Sequence, residues 1–191
     1  MQALHQRGWC DGTGGNFSVV LNHDPITLLM APSGVDKGAV KDNELIKVDQ
    51  EGTVVDGQGR ASAETLMHLK IVSQCGAGAV LHTHSSTATV LSHEALHEGR
   101  ITLEGWEMLK GLQGITTHKS RISIPIIANH QDLHHLSTTA EPLLNEAPHG
   151  LLVAGHGLYA WGKTLPEAKR HVEILEFLLE VHWKQLLLNK Q

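Results

Sequence analysis

A chain of 191 residues, 41% hydrophobic and 18% charged, can bury a core without disulfide or metal staples and has the balance of a soluble globular enzyme, one domain over residues 1–191. Its formal net charge of −5 comes with no Lys/Arg run, which argues against nucleic acid or an anionic membrane surface as partner. Cys10 and Cys75 belong to no C-x-x-C, no run of about 18 apolar residues occurs, and Met1 opens no signal-peptide pattern, so a reduced, cytoplasmic setting is expected.

Residues 2–9 read as the end of a helix that stops at Gly8. The run Gly12-Thr13-Gly14-Gly15-Asn16-Phe17-Ser18 follows and leads into a strand over 17–21. Phe17 stands where a dinucleotide fingerprint needs its third glycine. The turn is therefore either an anion nest of backbone N–H groups or a hairpin-type turn. A second strand over 26–31 closes on Pro32-Ser33-Gly34, with Lys37 nearby, and short strands are expected over 45–48 and 53–55. Ser62 is expected to cap a helix over 63–75. Glu64 falls in its first turn, where the helix dipole favours a carboxylate.

Residues 77–85 read as a buried strand that ends in His82-Thr83-His84. Side chains at i and i+2 share a face, roughly 6.5 Å apart, so both imidazoles can reach one ion. A helix over 85–96 carries His93-Glu94-Ala95-Leu96-His97, which matches H-E-x-x-H. Gly99 breaks that helix too early for the metalloprotease motif, so a solvated helix end is expected. Residues 103–112 read as a short helix, 122–128 as a strand kinked or kept at an edge by Pro125, and 133–144 as a helix. A buried strand over 150–154 runs into Gly155-His156-Gly157, whose glycines let the backbone aim the imidazole. The last helix starts at Thr164, with Glu167 completing a capping box, and runs to about Leu188. Its apolar stripe is Val172, Leu175, Leu178, Leu179 and Leu186.

Gly15-Asn16-Phe17-Ser18, Pro32-Ser33-Gly34, Ala61-Ser62-Ala63-Glu64, His82-Thr83-His84 and Gly155-His156-Gly157 follow one another along nearly the whole chain. In that order they resemble the class II aldolase/adducin family. The resemblance implies a three-layer α-β-α fold with a mainly antiparallel central sheet. It also implies one zinc per subunit held by His82, His84 and His156, and a homotetramer with active sites near subunit interfaces. Ala63 stands where the family's aldolases carry a second serine, which removes one phosphate contact and loosens the case for Glu64 as acid/base.

Trp106-Glu107-Met108-Leu109-Lys110-Gly111 and the run from His156 to Gly162 resemble a dehydratase branch of that family. The activity implied is loss of water across C3 and C4 of a 2-ketose 1-phosphate. Three neutral imidazoles would leave zinc its full charge and an open position. Locally, Glu107 reads equally as an exposed i,i+3 partner of Lys110 and as a carboxylate that moves a proton; the resemblance selects the second. Asn16, Ser33, Gly34 and Ser62 would hold the phosphate, with Lys37 adjoining, and Glu64 is a possible secondary acid/base. The alternative within the family is a sugar-phosphate aldolase or pentulose-phosphate 4-epimerase; in the aldolases the acid/base role falls to Glu64. A cupin-like metal protein would need a glutamate where Ala88 and Thr89 stand, and a non-catalytic adducin-type module would have no use for three histidines.

Overall fold

The central strands are buried at every position over 79–83, 150–153 and 157–162, so both faces of one sheet need cover, and helices supply it on both sides. A computed structural model describes residues 1–189. In chain order the elements are α1 (Gln2–His5), β1 (Asn16–His23), β2 (Ile26–Met30), β3 (Ile46–Val48), β4 (Val54–Asp56), α2 (Thr65–Cys75), β5 (Ala79–Thr83), α3 (Ser86–Glu94), β6 (Arg100–Glu104), β7 (Arg121–Ile127), α4 (Leu133–Leu144), β8 (Gly150–Val153), β9 (Gly157–Gly162) and α5 (Leu165–Leu188). The sheet order is β4-β3-β2-β1-β5-β9-β8-β7-β6. Every neighbouring pair is antiparallel except β7 with β8.

The two faces build two cores. Ala79, Leu81, Leu158 and Ala160 point to the side covered by α3 and α5, with Leu91, Val172, Leu175 and Leu178 opposite them. Val80, Tyr159 and Trp161 point to the other side, under Met67 and Ile71 of α2 and Leu136 and Ala140 of α4. Period-two alternation therefore sends His82 toward α2 and Thr83 toward α5.

Several sequence expectations change. Helix α2 begins at Thr65 with Glu64 at its N-cap position, two residues beyond the expected start, and Ser62 is not the cap. Residues 103–112 are not one helix: Arg100–Glu104 is an edge strand, and a 3-10 turn covers Glu107–Gly111. Pro125 does not put β7 at an edge, because β6 pairs with it on the outside. Pairing with β8 starts at Ile126, just past the residue that lacks an N–H. At α5, Thr164 Oγ1 accepts from Glu167 N, but Glu167 Oε2 accepts from Lys163 N at 2.6 Å, so the box closes one residue early.

Candidate metal centre and cleft

His82 is the last but one residue of β5 and is fully buried. Its Nδ1 donates to Leu158 O at 3.0 Å, which leaves Nε2 with a lone pair. Strand β1 brings Asn16 opposite His82. A Cβ on Gly15, at φ +72°, would lie 2.8 Å from His82 O, so the glycine turn is where this chain segment passes close against the histidine strand. Across the strand, a Cβ on Gly157 would collide with Thr83 O. The loop of His156 is tied to α3, where Thr89 Oγ1 donates to His156 O at 3.0 Å and Ser92 Oγ to Val153 O at 3.2 Å.

These supports aim four groups at one point. His82 Nε2 lies 2.8 Å from His84 Nε2 and 3.4 Å from His156 Nε2. Glu64 Oε1 lies 3.3 Å from His82 Nε2 and 3.1 Å from His156 Nε2. Ligands bonded at about 2.0–2.1 Å to one tetrahedral ion would sit about 3.3–3.4 Å apart. Nitrogen and carboxylate lone pairs converging this closely repel one another unless a cation lies among them. The donor set fits a divalent metal, with Glu64 as a fourth group beside the three histidines.

The protonation states agree. Burial, then the neighbouring imidazoles, pushes His84 down to about 3, and burial lowers His156. Both imidazoles are neutral near pH 7, the form in which a histidine can bind a metal. Burial pushes the Glu64 carboxyl up, but in the metal-free protein a proton shared with His82, the charge of His156 when protonated and the Asn16 amide outweigh it and hold it below the usual carboxylate range. Asn16 Nδ2 donates to Glu64 Oε2, and Tyr159 OH donates to Glu64 Oε1 at 3.1 Å.

Beside the centre is a cavity of about 230 Å³ whose walls include Asn16, Ser33, Gly34, Ser62, Glu64 and His84. All four residues expected to hold phosphate therefore meet at one cleft with Glu64 and His84. Asn16 has its amide N–H engaged by Glu64. Lys37 also lines the cleft; its buried Nζ donates to Val35 O at 2.8 Å and Thr13 O at 3.2 Å. Among the described residues no carboxylate forms an ion pair with it.

Glu107 is elsewhere. The register places Arg100 at the sheet end shared with His82 and Glu104 at the opposite end. Glu107 follows Glu104, four strands away from β5, about 19 Å sideways at about 4.8 Å per strand. It is exposed, paired with Lys110, and 3.6 Å from His118. His93 and His97 are also exposed, on either side of the end of α3, outside the cluster. Sequence reasoning assigns no role to Tyr159 or Glu176. Tyr159 is the chain's only tyrosine, in a strand just past His156, and that is the available signal.

The family model described as Class II Aldolase and Adducin N-terminal domain matches residues 1–183. The chain belongs to the class II aldolase and adducin family. Among its relatives is a protein named methylthioribulose-1-phosphate dehydratase from Xanthomonas campestris pv. campestris (strain 8004), 41% identical over 99% of this chain and 87% of that one. Another with that name, from Pectobacterium atrosepticum, is 43% identical over 97% of this chain and 91% of its own. The fold is similar to that of l-fuculose-1-phosphate aldolase from Thermus thermophilus, with a TM-score of 0.77 at 24% identity, covering 100% of this chain and 93% of the other. For a member of the class II aldolase family, the Glu64, His82, His84 and His156 cluster is the group able to hold a metal.

Proposed function

We propose that this protein dehydrates 5-methylthioribulose 1-phosphate to 5-methylthio-2,3-diketopentyl 1-phosphate, a step of methionine salvage, as a zinc-dependent cytoplasmic hydro-lyase. The observation that carries the reading is the convergence of three imidazoles and Glu64 at the rim of a cleft lined by anion-binding groups. The relatives named for this reaction support the choice of substrate. A divalent cation held by His82, His84 and His156 supplies Lewis acidity toward the ketose carbonyl.

The remaining work falls to side chains. Ser33, Ser62, the Gly34 backbone and the turn before Asn16 receive the phosphate, and the buried Lys37 ammonium adds a positive charge to that end of the cleft. The carboxylate of Glu107 removes the C3 proton. It returns a proton to the C4 hydroxyl, which leaves as water, and the resulting enol becomes the second carbonyl. Lys110, by hydrogen bond, holds Glu107 below the usual carboxylate range, so it starts as the base form. In this reading Glu107, at the far end of the sheet, acts in the cleft of a neighbouring subunit of a homotetramer. Burial at that contact would raise its affinity for the proton it must hand on.

A second reading has its own support. Glu64 sits within 3.1–3.3 Å of two ligand histidines, where an aldolase would place its acid/base. The deciding experiment is turnover of 5-methylthioribulose 1-phosphate with and without a chelator, followed by product mass. Chelator-sensitive formation of a product one water lighter supports dehydration. Cleavage into two shorter fragments would move the protein to the aldolase reading.

A further inference from the structure

Outside the cleft, one buried charge has no evident structural reason. Glu176 of α5 is 3% exposed, and among the described residues it forms no ion pair. A carboxylate in such a place costs several kcal/mol unless hydrogen bonds replace water. An apolar residue would suit the same helix face, where Val172, Leu175 and Leu179 pack.

The hydrogen bonds it makes go to one short segment. Thr83 Oγ1 donates to Glu176 Oε1 at 2.5 Å, and Ser85 Oγ donates to Glu176 Oε2 at 2.5 Å. Each carboxylate oxygen thus holds one of two hydroxyls that bracket His84 and follow His82. Thr83 is the last residue of β5, so the ladder no longer fixes His84. Its backbone N donates to Trp9 O at 2.7 Å. Ser85 is also the N-cap of α3, accepting from Ala88 N at 3.0 Å. The carboxylate ties α5, the end of β5 and the start of α3 together at the end of the sheet that carries His82 and, just past it, His84.

We propose that Glu176 is the positioning residue of the metal centre, fixing the spacing and direction of His82 and His84 from the sheet face opposite them. It touches neither metal nor substrate. The inference rests on the metal-centre reading above.

Zinc affinity, by competition with a chromophoric chelator, and the visible spectrum of the cobalt(II)-loaded protein test it without any turnover. Circular dichroism of each metal-free variant checks the fold. Glu176→Gln is expected to fold, to bind zinc about tenfold or more weakly, and to shift the cobalt bands, the usual result of losing a ligand-orienting partner. Glu180→Gln, an exposed neighbour on α5 paired with Lys184, should match wild type in both readouts. Glu176→Gln with zinc affinity within about twofold of wild type and an unchanged spectrum would overturn the proposal. Should Glu176→Gln fail to fold, Thr83→Val decides on the same two readouts: a similar loss supports the clamp and wild-type values overturn it. A wild-type protein that binds neither zinc nor cobalt removes the metal-centre reading itself, and this inference with it.

Discussion

Tyr159 lies flat on His82, the ring centroids 3.9 Å apart and the planes 11° from parallel, while its hydroxyl donates to Glu64 Oε1. One side chain thus supports two members of the centre from below. The hydroxyl is the separable part. Tyr159→Phe keeps the stack and is expected to weaken zinc binding by about tenfold, with a stability loss of roughly 1–3 kcal/mol for the lost bond to a buried carboxylate. Chelator competition and urea unfolding measure the two effects. Zinc binding unchanged from wild type would show that Glu64 is held well enough by Asn16 alone.

His156→Ala should abolish stoichiometric zinc, since it removes one of three imidazoles at an otherwise intact point of convergence. His93→Ala and His97→Ala should keep full zinc, because both rings are exposed and outside the cluster. Elemental analysis of the purified variants decides. Zinc lost from either of the second pair would restore the H-E-x-x-H match as a ligand site.

The spacing of His82 and His84 and the glycines around His156 make the histidine set readable, because ligand pairs at a strand end follow from the period of two alone. In sequence Glu64 reads as a first-turn carboxylate. That reading is locally sound, but α2 starts at Thr65, which frees the Glu64 side chain to turn toward the histidines. Arg100–Glu104 shows strict burial alternation in the fold, exposed at both ends and buried at Ile101 and Leu103. The same alternation is present in its sequence, yet the helix-forming residues that follow mask it. Glu176 and Tyr159 cannot be placed from sequence, since their roles depend on the order β5-β9 and on which face of α5 meets Thr83.

His68, four residues after Glu64 on α2, is wholly buried and shares a 2.7 Å hydrogen bond with Ser18 Oγ. Burial, followed by the charge of His82, pushes its pKa down to about 3. The unfolded chain, with an ordinary histidine pKa near 6.5, binds the proton more readily below that pH. Stability from His68 is therefore fully present above about pH 6.5 and falls as the pH drops toward 3, by on the order of a few kcal/mol in all. Urea midpoints of the chelated protein between pH 7.5 and 5 should fall for wild type and fall less for His68→Phe. Equal slopes for the two proteins would remove His68 as the cause.

Ser33→Ala and Ser62→Ala should raise KM more than they lower kcat, because phosphate contacts bind substrate and transition state alike. Lys37→Met removes the charge at similar bulk and should raise KM by about tenfold or more, the worth of one charge-assisted contact. Steady-state kinetics on the three variants measures both constants. Equal falls in kcat and kcat/KM would place these groups on the reacting end of the substrate instead.

Glu107 and the histidines sit at opposite ends of one sheet, so the dehydratase reading requires that each cleft borrow Glu107 from another subunit. Glu107→Gln should lower kcat by roughly 10²–10⁴-fold, the usual worth of a positioned proton-transfer group, with zinc retained. Glu64→Gln should fail differently, losing zinc affinity together with activity, because Glu64 is one of the converging groups. Mixed assemblies then test the sharing directly. Glu107→Gln subunits keep an intact metal centre, and His156→Ala subunits keep an intact Glu107. Co-expressed, the two inactive chains should form some clefts that contain both functional parts, and activity should return well above that of either parent. Size-exclusion chromatography of the mixed sample confirms that the chains assemble together. Assembly without any recovery would mean that Glu107 does not act in a neighbour's cleft. With Glu64→Gln inactive although it keeps full zinc, and Glu107→Gln within about tenfold of wild type, Glu64 becomes the acid/base and the aldolase chemistry takes precedence.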